Sequence, residues 1–479
     1  MGHRTQKPKH FIIQESIKEK IQNGEWPPGS RIPSQRSLAA AFKVNRSTVI
    51  AALDELKAQG IVEGKMGSST TVVLNAWQSM AASTPAWNEQ VRWSVQPSND
   101  PLVQKINQAE TNHSFLPISK GEMGPELHPA KALGKVFKKA GNEIGYFGYG
   151  DGRGKYSLRK AVSDHLSSRG ISASPDSILI VSGSLQALQL ISLGVLQPDS
   201  TVFLEQPSYL YSLPLFRSAG MHLQGIAMDK AGLQTKLLEK QHWRKNKSIL
   251  YTNPTFHNPT GTTMPLDRRK ALLCTCNEFQ QPVIEDDIYH DLWLETPPPP
   301  ALKALDTQGR VLHIGSFSKT VDPGLRIGWM TGPEDVVKRL ADIRMQMDYG
   351  TSFVSQLVAE HLLTSGLYEE HMHKIRHKLL QKRNYLLDLL HQNFKEEAYW
   401  EIPAGGFFIY VHFYSIASKK LFAAAFKQGV LLNPGSIYHD EKNTSVRFSF
   451  AYPNYAQMER GIKIIKDIIN YLKEIRMKG

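Results

Sequence analysis

Segments typical of strands alternate with segments typical of helices from about residue 114 to the C-terminus, and this alternation constrains the fold more than any other feature of the chain. The stretch ILIVSGSLQALQLISLGVL (178–196) illustrates it, with a short apolar strand, a Gly-Ser turn and an amphipathic helix. Strands that alternate with helices assemble into a largely parallel sheet. We therefore expect an α/β fold for this part of the chain.

A single lysine, Lys319, follows an apolar strand and a Ser-rich turn in VLHIGSFSKTVDPGLRIGWMTG (311–332). At the end of a buried strand its ammonium is partly desolvated, which lowers the pKa of the lysine and frees its amine to form a Schiff base with an aldehyde cofactor. Ser316, Ser318 and Arg326 flank it, and two hydroxyls with a guanidinium suit a phosphate group. The letters SFSK alone also fit a strand and turn with a surface lysine.

A second phosphate-binding element is expected where the strand at 178–181 turns into its helix. The first N–H groups of a helix have no partner within the helix, so those near Gly183, Ser184 and Leu185 can bind phosphate without a charged side chain. Taken alone, this turn also fits an ordinary connection between a strand and a helix.

The string SFSK followed by PGLRIGW resembles the lysine motif of fold-type I aminotransferases of class I/II, which use pyridoxal 5'-phosphate (PLP). The resemblance implies that Lys319 forms the Schiff base and that Asp286, in VIEDDIYHDLW, lies beside the pyridine nitrogen of PLP. A buried carboxylate there keeps the nitrogen protonated, and a pyridinium accepts electrons from the substrate carbanion. Glu285 and Asp287 alternate with Asp286 along the strand and are expected to face away, as solvated or structural groups.

Further segments resemble the same enzymes in the same order along the chain, including a small C-terminal α+β part. The resemblance implies that Tyr209 stacks on the PLP ring and that Asn258 and Tyr289 donate hydrogen bonds to its phenolate oxygen. It also implies that Arg447 binds the substrate α-carboxylate and that Tyr149 reaches the cofactor phosphate of the neighbouring subunit. The last assignment implies a homodimer. At Asn258 the chain keeps the aminotransferase residue, whereas many related regulators have a bulkier one.

The first 75 residues behave as a separate unit. Ile13, Ile17 and Ile21 recur at helical spacing in a first helix that ends at an Asn-Gly pair. Ser34 can cap a second helix, SQRSLAAAF, and a short turn leads to a third, RSTVIAALDELKAQG. IVEGKMGSSTTVVL then predicts two strands joined by a Gly-bearing turn. The pattern predicts a winged helix-turn-helix.

The string PPGSRIPSQRSLAAAFKVNRSTV resembles the winged helix-turn-helix of the GntR regulators, which bind double-stranded operator DNA. The N-terminal residues of a recognition helix reach base edges in the major groove, and a slim basic wing can enter the minor groove. The implied DNA-binding residues are Ser34, Arg36, Arg46, Ser47, Thr48, Lys65 and Gly67. Ile50 stands where the family often has a second arginine, so one expected contact is missing. A winged helix that binds protein is the alternative.

Residues 76–113 are predicted to form a linker, because polar and small residues with scattered prolines replace the periodic pattern. Trp77, Trp87 and Trp93 are expected to anchor it on a folded unit, since large exposed apolar surface is unusual. A loose tether with incidental tryptophans is the alternative.

Composition excludes several classes of protein. No apolar run approaches the roughly 18 residues that span a bilayer, and MGHRTQKPKH lacks the apolar core of a signal peptide, so a cytoplasmic protein without membrane contact is expected. Cys274 and Cys276 lie in one predicted helix and point to different faces, which supports neither a disulfide framework nor a metal site. A net charge of +13 permits a polyanionic partner.

A GntR-type winged helix (1–75), joined by this linker to an aminotransferase-like domain (114–479), resembles the MocR subfamily of bacterial regulators. The resemblance implies that PLP, alone or with an amine or amino-acid effector bound through Lys319, changes how a domain-swapped homodimer presents its two DNA-binding heads. A catalytically active aminotransferase with an appended DNA-binding domain is the alternative, because every catalytic group assigned above is present.

Overall fold

The structure is a computed structural model that describes residues 8–64, 69–73, 99–143, 145, 148–244, 247–439 and 443–478. Lys65 and Gly67 lie outside the described residues, as do the three tryptophans expected to anchor the linker. The chain separates into two compact units, Met1–Val95 and Gln96–Gly479. No helix in the described ranges is long and apolar enough to cross a membrane.

The N-terminal unit holds α1 (Lys9–Gln22), α2 (Gln35–Phe42), α3 (Arg46–Ala58), β1 (Val62–Glu63) and β2 (Thr71–Val72). Ile13, Ile17 and Ile21 of α1 are buried in the core that α1 forms with α3, as their spacing predicts. The hydroxyl of Ser34 accepts a hydrogen bond from the Ser37 amide at 3.2 Å and caps α2. β1 and β2 pair antiparallel. These elements form the predicted winged helix-turn-helix.

The large unit begins with α4 (Pro101–Glu110). Its further helices are α5 (Ala130–Glu143), α6 (Tyr156–Ser167), α7 (Ser184–Gly194), α8 (Leu215–Ser218), α9 (Thr235–Glu239), α10 (Leu266–Glu278), α11 (Leu302–Leu305), α12 (Glu334–Met345), α13 (Phe353–Thr364), α14 (Leu367–Phe394), α15 (Ser418–Lys427) and α16 (Tyr455–Lys478). Its strands are β3 (Ile178–Val181), β4 (Thr201–Gln206), β5 (His222–Asp229), β6 (Gly232–Leu233), β7 (Ser248–Thr252), β8 (Val283–Asp286), β9 (Val311–Ser316), β10 (Gly328–Thr331), β11 (Ala398–Trp400), β12 (Phe408–Phe413), β13 (Asn433–Pro434) and β14 (Ser445–Ser449).

The main sheet has the strand order β3-β10-β9-β8-β7-β4-β5-β6. The neighbouring strands from β9 to β5 are parallel, whereas β10 runs antiparallel to both of its neighbours and β6 antiparallel to β5. Every residue of β7, β8 and β9 is buried, as expected for parallel strands covered on both faces. The predicted largely parallel α/β fold is confirmed. A smaller antiparallel sheet, β11-β12-β14-β13, belongs to the C-terminal α+β part.

Helix α4 lies within the segment predicted as a linker, and the linker prediction is wrong for these residues. Val103, Ile106 and Ala109 are buried at helical spacing, and the latter two belong to the main core of the large unit. The Asp100 carboxylate accepts a hydrogen bond from the Leu102 amide at 2.7 Å and caps the helix. An Asp-Pro start before three spaced apolar residues is a helix signal that outweighs the polar composition around it.

Candidate cofactor and effector site

Predicted site residues meet at the carboxyl edge of the parallel strands. β8 ends at Asp286, and β9 ends three residues before Lys319. The strand ends border a cavity of about 410 Å³, in the position where open α/β sheets bind ligands. The residues predicted to bind cofactor or substrate that line this cavity are Ser184, Leu185, Tyr209, Asn258, Asp286, Tyr289, Ser318, Lys319, Arg326 and Arg447.

Lys319 lies in the cavity wall with its side chain partly withdrawn from water. Its Nζ donates a hydrogen bond to the carbonyl oxygen of Gly121 at 2.6 Å. Burial lowers the pKa of Lys319; the Glu122 carboxylate opposes this shift, and the Arg447 guanidinium adds to it. The lysine therefore loses its proton more readily than a lysine in water, which favours attack on an aldehyde.

The Asp286 carboxyl group has one hydrogen-bonded oxygen and one without a partner. Tyr251 donates its hydroxyl hydrogen to Oδ2 at 2.7 Å. Oδ1 is buried and has no hydrogen-bond partner among the described residues. Burial raises the pKa of Asp286 to about 6. Because a buried acceptor without a partner costs free energy, Oδ1 is suited to receive a donor from a ligand.

The two acidic neighbours of Asp286 do not line the cavity, and both are buried. The Glu285 carboxylate accepts two backbone N–H groups at the start of α11, at 2.6 and 2.8 Å. The Asp287 carboxylate lies 3.2 Å from Nε2 of His313 and 2.8 Å from Nδ1 of His290. Of the two alternatives predicted for these carboxylates, solvated or structural, the structure agrees with the structural one, since both are buried and contact protein donors.

The turn before α7 brings backbone amides and a guanidinium together. Gly183 has φ +90° and ψ 166°, a conformation that glycine adopts readily, and a Cβ there would lie 2.9 Å from a guanidinium nitrogen of Arg326. A hydrogen bond to the carbonyl oxygen of Ser182 holds Arg326 against the turn. The amides of Ser184 and Leu185 open the helix. Helix-start amides beside a guanidinium form a suitable phosphate site.

The two serines of the lysine turn differ in position. The Ser316 hydroxyl lies 3.2 Å from the carbonyl oxygen of Ile327 and accepts a hydrogen bond from the Ser318 amide at 3.1 Å. Ser316 is buried outside the cavity lining, whereas Ser318 lines the cavity. The structure therefore does not bring Ser316 to the predicted cofactor site, because its hydroxyl is used to hold the turn.

Arg447, on β14, is fixed on several sides. Nη1 donates to Oδ1 of Asn258 at 2.8 Å, and Nη2 donates to the carbonyl oxygen of Ser119 at 3.0 Å. The guanidinium carbon lies 3.9 Å from the ring centroid of Phe408. Nε is buried without a partner among the described residues. A guanidinium held in this way presents a preformed fork to a carboxylate.

The predicted tyrosines occupy two different places. Burial raises the pKa of Tyr209 to about 12 and raises the pKa of Tyr289 still further, so both phenols in the cavity are neutral hydrogen-bond donors. Tyr149 does not reach this cavity. Its side chain is 86% exposed in a separate surface depression, with its ring centroid 5.2 Å from that of Tyr349.

Three residues that shape the cavity are not among those predicted from the sequence. Tyr251 supports Asp286 from the neighbouring strand, and strand pairing is not visible in a sequence. Asn253 donates its side-chain amide to the Asp286 carbonyl oxygen and accepts the Asn258 amide at 2.8 Å. Glu110 of α4 also lines the cavity. Tyr251 and Asn253 carried a usable signal, since both lie in the same YTNPTFHNPTG string as Asn258.

In the N-terminal unit, Arg36, Arg46 and Ser47 are exposed and Thr48 is half-buried. Arg46 opens α3, and its Nε donates to Oε1 of Gln35 at the start of α2, at 3.2 Å. The starts of both helices of the helix-turn-helix thus present basic and hydroxyl side chains to solvent.

Family models match both units. The model for aminotransferase class I and II matches residues 117–465, and the model for the gntR family of bacterial regulatory proteins matches residues 12–72. The HTH-type transcriptional regulator YdfD of Bacillus subtilis is 49% identical over 457 residues, which cover 95% of each chain. The HTH-type transcriptional regulator NorG of Staphylococcus aureus is 36% identical over 449 residues, 93% of this chain and 100% of its own.

Solved structures resemble the large unit. A kynurenine aminotransferase of Pyrococcus horikoshii, in complex with PMP, matches with a TM-score of 0.73 and 31% identity over 79% of this chain and 96% of its own. The α-aminoadipate aminotransferase LysN of Thermus thermophilus matches with a TM-score of 0.73 and 26% identity over 81% of this chain and 99% of its own. The chain therefore belongs to the HTH-type transcriptional regulators that join a gntR-family DNA-binding domain to a domain of the aminotransferase class I and II family.

Proposed function

We propose that this chain is a PLP-dependent regulator of the MocR subfamily, whose large unit binds PLP with an amine or amino-acid effector and whose N-terminal unit binds operator DNA. The proposal rests on three groups in one cavity: Lys319 with its lowered pKa, the unpartnered Oδ1 of Asp286, and the preformed fork of Arg447. Each has a counterpart in PLP with an amino acid, namely the aldehyde carbon, the ring nitrogen and the α-carboxylate.

The remaining cavity residues fit PLP by the same reasoning. Asn258 and Tyr289 would donate hydrogen bonds to the phenolate oxygen, and Tyr209 would stack on the ring. When bound, PLP supplies an electron sink for a carbanion at the substrate Cα, and Asp286 would keep the proton on the ring nitrogen. The phosphate would be held by the turn at Gly183, with donors from the amides of Ser184 and Leu185, the hydroxyl of Ser318 and the guanidinium of Arg326.

In a homodimer, Tyr149 would have a binding role that it does not have within its own chain. Its exposed phenol lies outside its own chain's cavity, which supports contact with the cofactor phosphate of a partner subunit. A dimer would also place two DNA-binding heads on one operator, in keeping with the two half-sites that helix-turn-helix dimers bind. We place the regulator in the cytoplasm, where bacterial operator DNA is found.

The DNA-binding role is tested with the full chain and the DNA upstream of its own coding sequence. Affinity for this DNA and for random DNA is measured by fluorescence anisotropy at several salt concentrations, with and without PLP. We expect sequence-specific binding that changes on addition of PLP, and no change in Lys319→Ala, the matched variant. Specific binding that is identical with and without PLP in the parent would contradict PLP-dependent regulation.

An active aminotransferase is the second candidate, favoured by the fact that the groups assigned to catalysis, Lys319 and Asp286, line one cavity together with Arg447. The two candidates differ in turnover. Repeated conversion of an amino acid and a keto acid, beyond one event per bound PLP, would favour the enzyme. Conversion limited to the bound cofactor would favour the regulator.

A further inference from the structure

Helix α4 contributes a carboxylate to the cavity, and none of the roles assigned above gives this carboxylate a partner. Glu110 is the last residue of α4 and lines the cavity together with Val103, Ile106 and Asn107 of the same helix. In the described ranges, no hydrogen bond or ion pair reaches the Glu110 carboxylate. The charge that this carboxylate carries when ionised is therefore not balanced by a direct contact.

The other two carboxyl groups among the described lining residues have counterparts. Asp286 faces the position assigned to the ring nitrogen of PLP. Glu122 forms an ion pair with Lys120 at 3.1 Å, and the Lys120 ammonium also lies 4.4 Å from the ring centroid of Tyr452. Among the carboxylates of the described lining, Glu110 is thus the one that has no positively charged partner, either from PLP or from a neighbouring ion pair.

The cationic groups near Glu110 are already assigned. Burial raises the pKa of Glu110, and the positive charges of Arg447, Lys120 and Lys319 oppose that shift from nearby. Arg447 is fixed toward an α-carboxylate, and Lys319 is the attachment site for PLP. Glu110 lines the same cavity as both, so its carboxylate is available to the side chain of a ligand that occupies both.

We propose that Glu110 selects an effector with a positively charged side chain, a basic amino acid whose α-carboxylate binds Arg447 and whose side-chain ammonium pairs with Glu110. This inference rests on the proposed function and names the class of effector for the same cavity. A neutral side chain would leave the carboxylate desolvated without a partner, and an acidic side chain would place two like charges together. Selection therefore comes from exclusion as well as from attraction.

The test titrates the PLP-loaded full chain with three amino acids by calorimetry. L-ornithine carries the side-chain ammonium, L-norvaline has the same carbon chain without it, and L-glutamate carries the opposite charge. We expect ornithine to bind about 10- to 100-fold more tightly than norvaline, which is the range for a hydrogen bond between charged groups, and glutamate to bind most weakly.

Variants identify the residue responsible. Glu110→Gln should bring the affinities of ornithine and norvaline to within about threefold, because the charge is lost and the shape is kept. Glu278→Gln removes an exposed carboxylate of α10 and should keep the preference of the parent. Glu110→Asp keeps the charge on a shorter side chain and should retain a reduced preference, which covers the case in which the glutamine variant does not fold.

The outcomes separate this inference from the proposed function. Equal affinity of the parent for ornithine and norvaline, or an unchanged preference in Glu110→Gln, would overturn selection by Glu110 and leave amino-acid sensing intact. If none of the three amino acids binds a chain that holds PLP, amino-acid sensing itself is contradicted, and the inference fails with it.

Discussion

The unpartnered oxygen of Asp286 should make the large unit less stable until PLP is bound. Oδ1 lacks a hydrogen-bond partner in the described part of the chain, and burial raises the pKa of the carboxyl group from 3.8 to about 6. Asp286→Asn removes the charge and keeps an acceptor for Tyr251. We expect this variant to be more stable than the parent without PLP above about pH 6, and less stable than the parent with PLP.

The sign follows from proton binding. Between about pH 4 and pH 6 the folded chain without PLP holds a proton on Asp286 that the unfolded chain has released. The free energy of unfolding is therefore highest below this window, falls as pH rises through it and stays low above it. A shift of about two pKa units, at about 1.4 kcal/mol per unit, corresponds to about 3 kcal/mol. Without PLP, the free energy of unfolding of Asp286→Asn relative to that of the parent should therefore rise by about 3 kcal/mol from pH 4 to pH 8.

Urea-induced unfolding measures both effects. The parent and Asp286→Asn are unfolded at about pH 4 and pH 8, each without PLP and with saturating PLP. Asp388→Asn, an exposed aspartate of α14, is the matched control and should follow the parent. If the stability difference between parent and Asp286→Asn without PLP is the same at both pH values, the conclusion that a buried, unpartnered carboxylate awaits a cofactor donor is refuted.

Further predictions concern the attachment site, the phosphate turn and the DNA head. Lys319→Ala should abolish the visible absorbance of bound PLP while DNA binding persists, and an unchanged spectrum would exclude this lysine as the attachment site. Gly183→Ala should cost about 1 to 3 kcal/mol of stability and weaken PLP binding, since φ is +90° and the added Cβ would meet Arg326. If titration shows that this variant binds PLP as tightly as the parent, the prediction is contradicted. Arg46→Ala should cost about 1 to 3 kcal/mol on operator DNA and little on random DNA. Lys43, an exposed lysine directly after α2, serves as the comparison, and Lys43→Ala should weaken binding to both DNAs alike and make the salt slope shallower by about one unit. Fluorescence anisotropy titrations measure the affinities of both variants for the two DNAs. An equal loss of affinity for operator and random DNA in Arg46→Ala would argue against base reading.

Buried strands were the most predictable part of the large unit. The runs that end at Val181, Asp286 and Ser316 all form strands of the main sheet, and each begins with at least two apolar residues. β8 and β9 pair in parallel, and β3 runs in the same direction as β9 because β10 lies antiparallel between them. Since the carboxyl ends of parallel strands lie at one edge, residues just beyond these runs meet in the cavity. Lys319, far from Asp286 in sequence, was therefore predictable as its neighbour in the site.

Protein partners decide the role of the polar groups that neighbour the site. Ser316 carries a hydroxyl suited to phosphate, but Ile327 and the Ser318 amide occupy it. Glu285, predicted to be solvated or structural, has the structural role, since two amides of α11 satisfy it in the core. A sequence gives the chemistry of each group, whereas the competing partner depends on tertiary contacts. Predictions of binding residues therefore fail mainly at groups that the fold itself can satisfy.

The position of α4 gives effector binding a physical route to regulation. A ligand shifts a protein between states only if it binds them with different free energies, so an effector must contact an element that can change its position or order. Lys319, Asp286 and Arg447 lie on or beside strands of the two sheets of the large unit. Glu110 lies on a helix that follows the DNA-binding unit in sequence, and its carboxylate has no partner in the described part of the chain until a cation arrives. A ligand cation on Glu110 would therefore add a contact between the effector and α4, whose Ile106 and Ala109 pack in the main core of the large unit, and an effector without the cation would occupy the cofactor site without that contact.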